Sequence, residues 1–265
     1  MTTWLTGSPF LADLGVRERD GEIVMAVTEP HTTTGALHGG AIAALAAVSA
    51  QAAMRREEPD LEPSTTSLHV AYASAGRGTA FAAPSSTVRR VRELGYYQTD
   101  VTDESGRTIA VASSALSAGR RGAAEVPAPP ELPGDPAAFT RAVAEVPFLA
   151  RRGLRVEGTG TGAVEYTMAL EERNLDEKGR LHEGALLTLI DLAGSSAPWT
   201  GPRPSTGGAT ISLHAQILGQ PPAEAVTARG TVRARDDRVF WCDVDVFTTA
   251  GRERCAFGSV AYRFA

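Results

Sequence analysis

The amino-acid sequence predicts an α+β protein of two tandem domains, each a long central helix wrapped by an antiparallel sheet. The first observation is a repeat: residues 37–45 (LHGGAIAAL) return as residues 181–189 (LHEGALLTL), a shift of 144 positions. The second is the order of patterns, because in each half one long apolar run is followed by several alternating stretches. A helix followed by a run of strands is typical of α+β domains, and internal repetition indicates a duplicated unit.

Further matches between the two halves keep the same order. They are Pro9-Phe10-Leu11 with Pro147-Phe148-Leu149, Ser67-Leu68-His69 with Ser212-Leu213-His214, and Thr87-Val88-Arg89 with Thr231-Val232-Arg233. A polar turn follows in each half, at residues 103–107 and 248–252, between two alternating stretches. Because so many matches occur in the same order, we attribute them to gene duplication and not to chance similarity.

The elements of the first half follow from these patterns. Residues 21–29 alternate and predict a strand, and the apolar helix that starts at His38 is expected to end before Pro59, because proline cannot continue a helix. Strands are predicted over residues 65–73, 80–92, 96–103 and 109–117. The second half repeats this layout with a strand over 162–171, a helix ending near Pro198, and strands over 209–218, 225–235, 240–247 and 254–263.

The stretch between the halves has a different composition. Residues 120–136 contain five prolines and several charges without apolar periodicity, which is typical of a linker. We therefore predict an N-terminal domain over residues 1–118, a linker over 119–137 and a C-terminal domain over 138–265. A short helix over residues 137–146 is expected to lead into the second domain.

Bulk composition narrows the class of protein. The formal net charge is −5, which gives little electrostatic support to nucleic-acid binding. The chain has neither an apolar run of membrane-spanning length nor a signal-peptide pattern at its start. Its two cysteines, Cys242 and Cys255, show no CxxC spacing and suit a reducing compartment. We expect a cytoplasmic protein, and the arginine and alanine bias suggests a GC-rich bacterial genome.

Three features together carry a resemblance to a known family. They are His38-Gly39-Gly40 at the start of a predicted buried helix, Asp191 separated by six residues from the second copy of the motif, and a threonine on the following strand. This pattern resembles the hotdog-fold acyl-CoA thioesterases, in the branch similar to phenylacetate-pathway enzymes, here as a tandem double hotdog. The resemblance covers nearly the whole chain apart from the linker.

The resemblance implies hydrolysis of an acyl-CoA or acyl-carrier-protein thioester at a cleft between the two halves. It implies no metal and no redox cofactor, with coenzyme A present only as part of the substrate. It also implies a homo-oligomer. Two alternatives stay open, a non-catalytic acyl-CoA-binding or regulatory protein and a hotdog hydratase or dehydratase, although the histidine and acid of a separate hydration motif are not found.

The glycine-rich start of the first helix is the candidate oxyanion site. Backbone N–H groups at a helix N-terminus stabilise negative charge on a carbonyl oxygen. The resemblance assigns this donor to the N–H of the residue after the histidine, here Gly39, with His38 shaping the loop and Gly40 contacting substrate. Alternatively, the glycines only allow the helix to pack closely against its neighbours.

Asp191 is the candidate base. It lies within the apolar run LLTLIDLA, and a carboxylate buried there without a partner is costly. By resemblance it is the general base that activates water, or the nucleophile that forms an anhydride. Alternatively it is a structural aspartate bonded to a nearby loop.

Helical angles decide which helix start Asp191 can meet. His182 and Asp191 are nine residues apart, which is about 900° or two and a half turns, so they face opposite sides of one helix about 13 Å apart. Asp191 is therefore expected to meet the start of the first helix. The opposite pairing combines His182 and Glu183 with Ala47 and Thr65, and it predicts a degenerate second site.

The remaining candidates are weaker. Thr210, on the strand after the second helix, is expected to orient the attacking water, although threonine is also simply a good strand residue. Thr32 occupies the place of a loop asparagine that the family often has. His214 is a candidate substrate contact or a satisfied structural histidine. Arg89 and Arg90 are candidate phosphate contacts or a solvated strand face.

Overall fold

The protein is described by a computed structural model that covers residues 3–118, 124–125 and 131–265. Residues 1–2, and residues 119–123 and 126–130 of the predicted linker, lie outside the described residues. The domain boundaries at residues 118 and 138 stay a prediction.

The first half contains three helices and seven strands among its described residues. They are α1 (Thr3–Thr6), α2 (Pro9–Asp13), β1 (Val16–Arg19), β2 (Glu22–Ala26), α3 (Gly39–Glu57), β3 (Ser64–Tyr72), β4 (Ala80–Ala82), β5 (Ser85–Val91), β6 (Leu94–Asp103) and β7 (Thr108–Ser117). A two-residue strand, β8 (Ala124–Glu125), pairs with a strand of the second half.

The second half repeats this order. It contains α4 (Ala137–Glu145), α5 (Pro147–Ala150), β9 (Leu154–Gly160), β10 (Ala163–Met168), α6 (Glu183–Ser196), β11 (Gly208–Ile217), β12 (Val226–Arg235), β13 (Val239–Thr248) and β14 (Glu253–Phe264). Short 3₁₀ turns lie at Glu172–Asn174 and Ala197–Thr200. Helix α4 agrees with the short helix predicted over residues 137–146.

The strands of both halves join in one antiparallel sheet, which has 14 strands within the described residues. Strand β3 pairs with β11 at the junction, where His69 lies opposite His214. The long helices α3 and α6 pack against this sheet and against each other. This arrangement confirms the predicted α+β class with central helices and antiparallel strands.

One strand prediction was wrong, and two strands were not predicted. The strand predicted over residues 80–92 is interrupted at Ala83 and Pro84, because proline has no N–H to donate to the neighbouring strand. The first strand of each half, β1 and β9, was missed. β1 reads VRER and buries only Val16, so it lacks the alternation by which strands are recognised.

Helices α3 and α6 cross at small residues. A Cβ on Gly40 would overlap the backbone Cα of Thr188, and a Cβ on Gly184 would meet Phe10 and Ala44. Glycine at these positions therefore lets the two helix backbones approach closely. Within the residues described, no helix is both long and apolar enough to cross a membrane.

Replacing Gly40 with alanine is expected to destabilise the fold by about 3 kcal/mol, the upper part of the usual range for overpacking, because backbone atoms of α6 must move to admit the new methyl group. Urea unfolding would measure the loss. Gly207→Ala is the matched control, because its added Cβ would lie 4.0 Å from the nearest heavy atom, the Cβ of Ala265. Equal stabilities for the two variants would contradict this account of the helix contact.

Candidate active site

The histidine of each repeat caps the helix that follows it. His38 precedes α3 in an extended conformation, and its Nδ1 accepts a hydrogen bond from the N–H of Gly40 at 3.1 Å. His182 does the same for α6, accepting from the N–H of Gly184 at 2.9 Å. An N-cap acceptor satisfies one of the N–H groups that a helix start leaves unpaired. The repeated histidine therefore sets the geometry of both helix starts.

Asp191 lies at the start of α3 and not at the start of its own helix, as the helical angles predict. Its Oδ2 accepts a hydrogen bond from the N–H of Gly40 at 3.0 Å, and its Oδ1 accepts one from Thr210 Oγ1 at 2.9 Å. A Cβ on Gly39 would lie 2.7 Å from Asp191 Oδ2. Glycine at position 39 therefore leaves the space that this carboxylate occupies.

The protonation states of this group follow from burial. Asp191 is 2% exposed, and burial raises its pKa to about 6, although the bonds from Thr210 and Gly40 oppose the rise. His38 is also enclosed, and burial together with the positive charge of Arg152 lowers its pKa to about 4. Near neutral pH, Asp191 is therefore a carboxylate that can accept a proton, and His38 is neutral.

The N–H of Gly39 is the backbone donor at this helix start that has no acceptor among the described residues. The Gly40 N–H bonds His38 and Asp191, and the N–H groups of Ala41 and Ile42 bond the His38 carbonyl oxygen. No described residue accepts a hydrogen bond from the Gly39 N–H. Gly39 lines a cavity, so its N–H is available to an oxygen atom of a bound molecule.

The cavity has a volume of about 1080 Å³ and reaches His38, Gly39, Asp191 and Thr210. This volume exceeds what a drug-sized ligand needs. Its apolar wall includes Leu37, Ile42, Phe139, Val143, Tyr166, Leu192, Trp199 and Tyr262. Residues of both halves line it, so the cavity lies between the two repeats.

Tyr72 is a residue of this site that the sequence did not reveal. It lines the cavity, and its hydroxyl donates a hydrogen bond to the Gly39 carbonyl oxygen at 3.0 Å. Burial and the nearby Asp191 charge raise its pKa well above the ordinary value. The matching position in the second half is Ile217, and this asymmetry between the repeats was the available signal.

Thr32 lines the cavity and closes its loop, because its hydroxyl bonds both the N–H and the carbonyl oxygen of Ala36. The other three weak candidates lie elsewhere. His214 does not line the cavity, and its Nε2 contacts Ser67 and Gln216.

Arg89 and Arg90, the predicted phosphate contacts, also lie outside the cavity. Arg89 is exposed on β5, and Arg90 pairs with Glu57 and Glu58 at the far end of α3. A helix of 19 residues is about 28 Å long, so this end lies far from Gly39.

The second helix start carries Glu183, and the prediction of a degenerate site there stays a prediction. Glu183 does not stand beside an open carbonyl site, because its carboxylate accepts hydrogen bonds from Gln51 Nε2 at 2.7 Å, Ser64 Oγ at 3.0 Å and the Thr65 N–H at 3.1 Å. By the two-fold relation of the repeats, Ala47 stands where Asp191 stands in the first site. Each helix crossing thus carries one carboxylate, supplied by α6 in both cases.

The structure suggests no metal centre in the part of the chain it describes, where no three His, Cys, Asp or Glu side chains are grouped to hold an ion. The first site presents a carboxylate, a hydroxyl and a helix N-terminus. Such a set can move a proton and stabilise an oxyanion.

Neither a protein-family model nor a curated protein matches the sequence. Solved structures match over nearly the full length. A tesB protein from Mycobacterium avium subsp. paratuberculosis is 14% identical with a TM-score of 0.71, covering 99% of each chain. An acyl-CoA thioesterase II from Mycobacterium marinum is 15% identical with a TM-score of 0.67, covering 94% of each chain.

A third match is a hot dog fold protein from Alicyclobacillus acidocaldarius, 17% identical with a TM-score of 0.70, which covers 96% of this chain and 97% of its own. Matches at such low identity establish the fold. Together with the repeat of helix and strands, they show that the chain adopts the double hotdog fold.

Proposed function

We propose that the protein hydrolyses thioesters of the acyl-CoA or acyl-carrier-protein type, at a single site between the two repeats. The observation that carries the proposal is the meeting of Asp191 with the start of α3, beside the unpaired Gly39 N–H. The fold is that of proteins named as acyl-CoA thioesterases, which supports this chemistry by analogy.

In this reaction the thioester carbonyl carbon lies next to Asp191, and its oxygen accepts a hydrogen bond from the Gly39 N–H. Asp191 takes a proton from water as the water oxygen attacks the carbonyl carbon. The oxyanion is stabilised by the Gly39 N–H and the positive end of the α3 dipole. Collapse breaks the carbon–sulfur bond, and the proton passes from Asp191 to the departing thiolate, giving a carboxylic acid and a thiol.

The surrounding groups have supporting roles in this proposal. Thr210 holds one oxygen of the carboxylate and orients the attacking water. His38 holds the Gly40 N–H, and Tyr72 holds the Gly39 carbonyl oxygen. Direct attack by Asp191 on the carbonyl carbon is the alternative route. It would form an anhydride that water then hydrolyses.

The hydrolysis rate is expected to rise with pH through about 6, because Asp191 acts as a base only when ionised and its pKa is raised to about 6 by burial. His38 is not expected to contribute to this limb, since its pKa is lowered to about 4. The measurement is kcat/KM for free-thiol release from a panel of acyl-CoAs between pH 4.5 and 9.

Binding of acyl-CoAs without thiol release at any pH would favour a non-catalytic binding protein. A rate that is flat between pH 5 and 8 would contradict the assignment of the base. The similarity to the phenylacetate-pathway branch, the homo-oligomer and the cytoplasmic location stay predictions from the sequence.

A further inference from the structure

A completely buried arginine lies between the two helix starts. Arg152 is 0% exposed, and it donates hydrogen bonds to the Arg173 carbonyl oxygen at 2.6 Å and to the Asp13 carboxylate. Asp13 also pairs with Arg151 and Arg173. Arg151 also pairs with Glu29, so two carboxylates serve three guanidinium groups and positive charge is in excess among these pairs. A buried charge is costly to keep, so its presence requires a reason.

The guanidinium of Arg152 lies between two matching phenyl rings. Its Cζ is 4.9 Å from the ring centre of Phe10 and 4.4 Å from that of Phe148. Phe10 stacks on His182 with ring centres 4.7 Å apart, and Phe148 lies 5.2 Å from the His38 ring. One cation therefore lies over both phenyl rings that contact the capping histidines, and each ring is supplied by the other half of the chain; His31 also stacks on Phe148, with ring centres 4.8 Å apart.

The cap requires an unprotonated His38. Its Nδ1 accepts from the Gly40 N–H and lies 3.4 Å from Asp191 Oδ2. A proton on Nδ1 would remove the acceptor and make an ion pair with Asp191, which would occupy the proposed base. A nearby fixed cation opposes that proton by like-charge repulsion.

The other ionisable groups around His38 do not supply this repulsion. Asp191 on α6 attracts a proton to His38, and Tyr72 on β3 is uncharged because its pKa is raised. His31, in the loop before α3, is itself buried with a pKa lowered to about 3, so it is neutral. Burial has the largest effect on the pKa of His38, and Arg152 is the charged group whose field lowers it further.

We propose that Arg152 is a positioning residue of the site, whose charge adds to burial in keeping His38 unprotonated in acid solution and so preserves the α3 cap and the free Asp191 carboxylate there. This role rests on the proposed thioester hydrolysis, and no contact of Arg152 with substrate is involved. The same guanidinium acts on His182 at the second helix start, where burial and Arg152 lower the pKa to about 4 against the pull of Asp176.

The test is a titration of the histidine ring signals by NMR, which needs no catalytic activity. The chain has five histidines, so the signals can be assigned by substitution. Arg152→Met removes the charge but keeps an apolar stem, and Asp13 retains Arg151 and Arg173 as partners. Arg173→Met is the matched control, because Arg173 pairs with the same carboxylate but its side chain is 58% exposed.

We expect Arg152→Met to raise the pKa of both His38 and His182 by about one unit, the effect of a cation within roughly 10 Å across a protein interior. Arg173→Met should leave both values unchanged, and Arg152→Lys, which keeps the charge, should largely restore them. Unchanged histidine pKa values in folded Arg152→Met would overturn the proposal.

If Arg152→Met does not fold, Arg152→Gln answers the same question, because it is also neutral but can donate a hydrogen bond to the Arg173 carbonyl oxygen or to Asp13. It removes the charge, so the pKa of His38 and of His182 should again rise by about one unit, and unchanged values would overturn the proposal.

Activity gives a separate readout. In Arg152→Met the rate should fall more steeply below about pH 5, where His38 becomes protonated in addition to Asp191, with the rate at pH 8 nearly preserved. Absence of turnover in the wild-type protein would overturn the proposed function, whereas the histidine titration would still decide the role of Arg152.

Discussion

Replacing Asp191 with asparagine is expected to lower kcat for thioester hydrolysis by about 10²- to 10⁴-fold, the range typical of losing a general base. Asparagine keeps an oxygen that can accept a hydrogen bond from Gly40 or Thr210, so the helix start should persist. It cannot take a proton from water. Asp237→Asn, at an exposed position, is the matched control and should keep the wild-type rate.

The same variant is expected to be more stable than the wild-type protein at pH 8. The folded pKa of Asp191, about 6, lies above its ordinary value of 3.8. The carboxyl therefore favours folding below pH 3.8, and this contribution is lost as the pH rises through 6. Asparagine never ionises, so the gain should be on the order of 2–3 kcal/mol at pH 8 and small at pH 4.

Urea unfolding at the two pH values measures this difference. A variant that keeps the wild-type rate would show that Asp191 is not the base. A variant without the stability gain would show that the buried carboxylate is compensated more fully than its two hydrogen bonds indicate. Loss of rate with gain of stability is the pattern of a residue kept for function.

The fold was predictable because the chain contains the same pattern of helix and strands in each of its two halves. The repeat at residues 37–45 and 181–189 located both long helices, and the alternation of the later strands located most of the sheet. The meeting of Asp191 with the opposite helix start also followed from the sequence, since 3.6 residues per turn excludes its own helix start.

Residues whose importance depends on tertiary neighbours were not predictable. Arg152 reads as one of many arginines, and only the folded chain shows it enclosed between Phe10 and Phe148. Tyr72 lies at the end of a strand where tyrosine is an ordinary residue. Arg90 was a candidate phosphate contact because the sequence did not show its partners. Glu57 and Glu58, which pair with it, are separated from it by more than 30 positions.

Glu183 replaces the Gly39 of the first copy, and the sequence explained only part of what this mismatch does. The sequence predicted that a bulky anion at the second helix start disables a site. The structure adds that this anion links the halves, because Glu183 belongs to α6 whereas Gln51, Ser64 and Thr65 all belong to the first half. The second helix crossing is therefore a structural connection between the repeats.

Replacing Glu183 with alanine is expected to destabilise the protein by about 3–5 kcal/mol, because three buried donors lose a charged acceptor and a cavity is left behind. Glu183→Gln keeps the volume and one acceptor oxygen, so its loss should be smaller. Glu177→Ala, at an exposed position beside the same helix start, is the control and should be nearly neutral. Urea unfolding followed by tryptophan fluorescence measures all three.

The activity of Glu183→Ala separates a structural connection from a second catalytic site. Glu183 bonds Gln51, Ser64 and Thr65 and does not line the cavity of Asp191, so kcat/KM at 25 °C should equal that of the wild-type protein while the folded fraction is high. A fall of kcat/KM to half, with Asp191→Asn retaining the other half, would mean that both helix crossings hydrolyse substrate. Full activity with reduced stability would mean that duplication left one crossing for chemistry and converted the other carboxylate into a link between the halves.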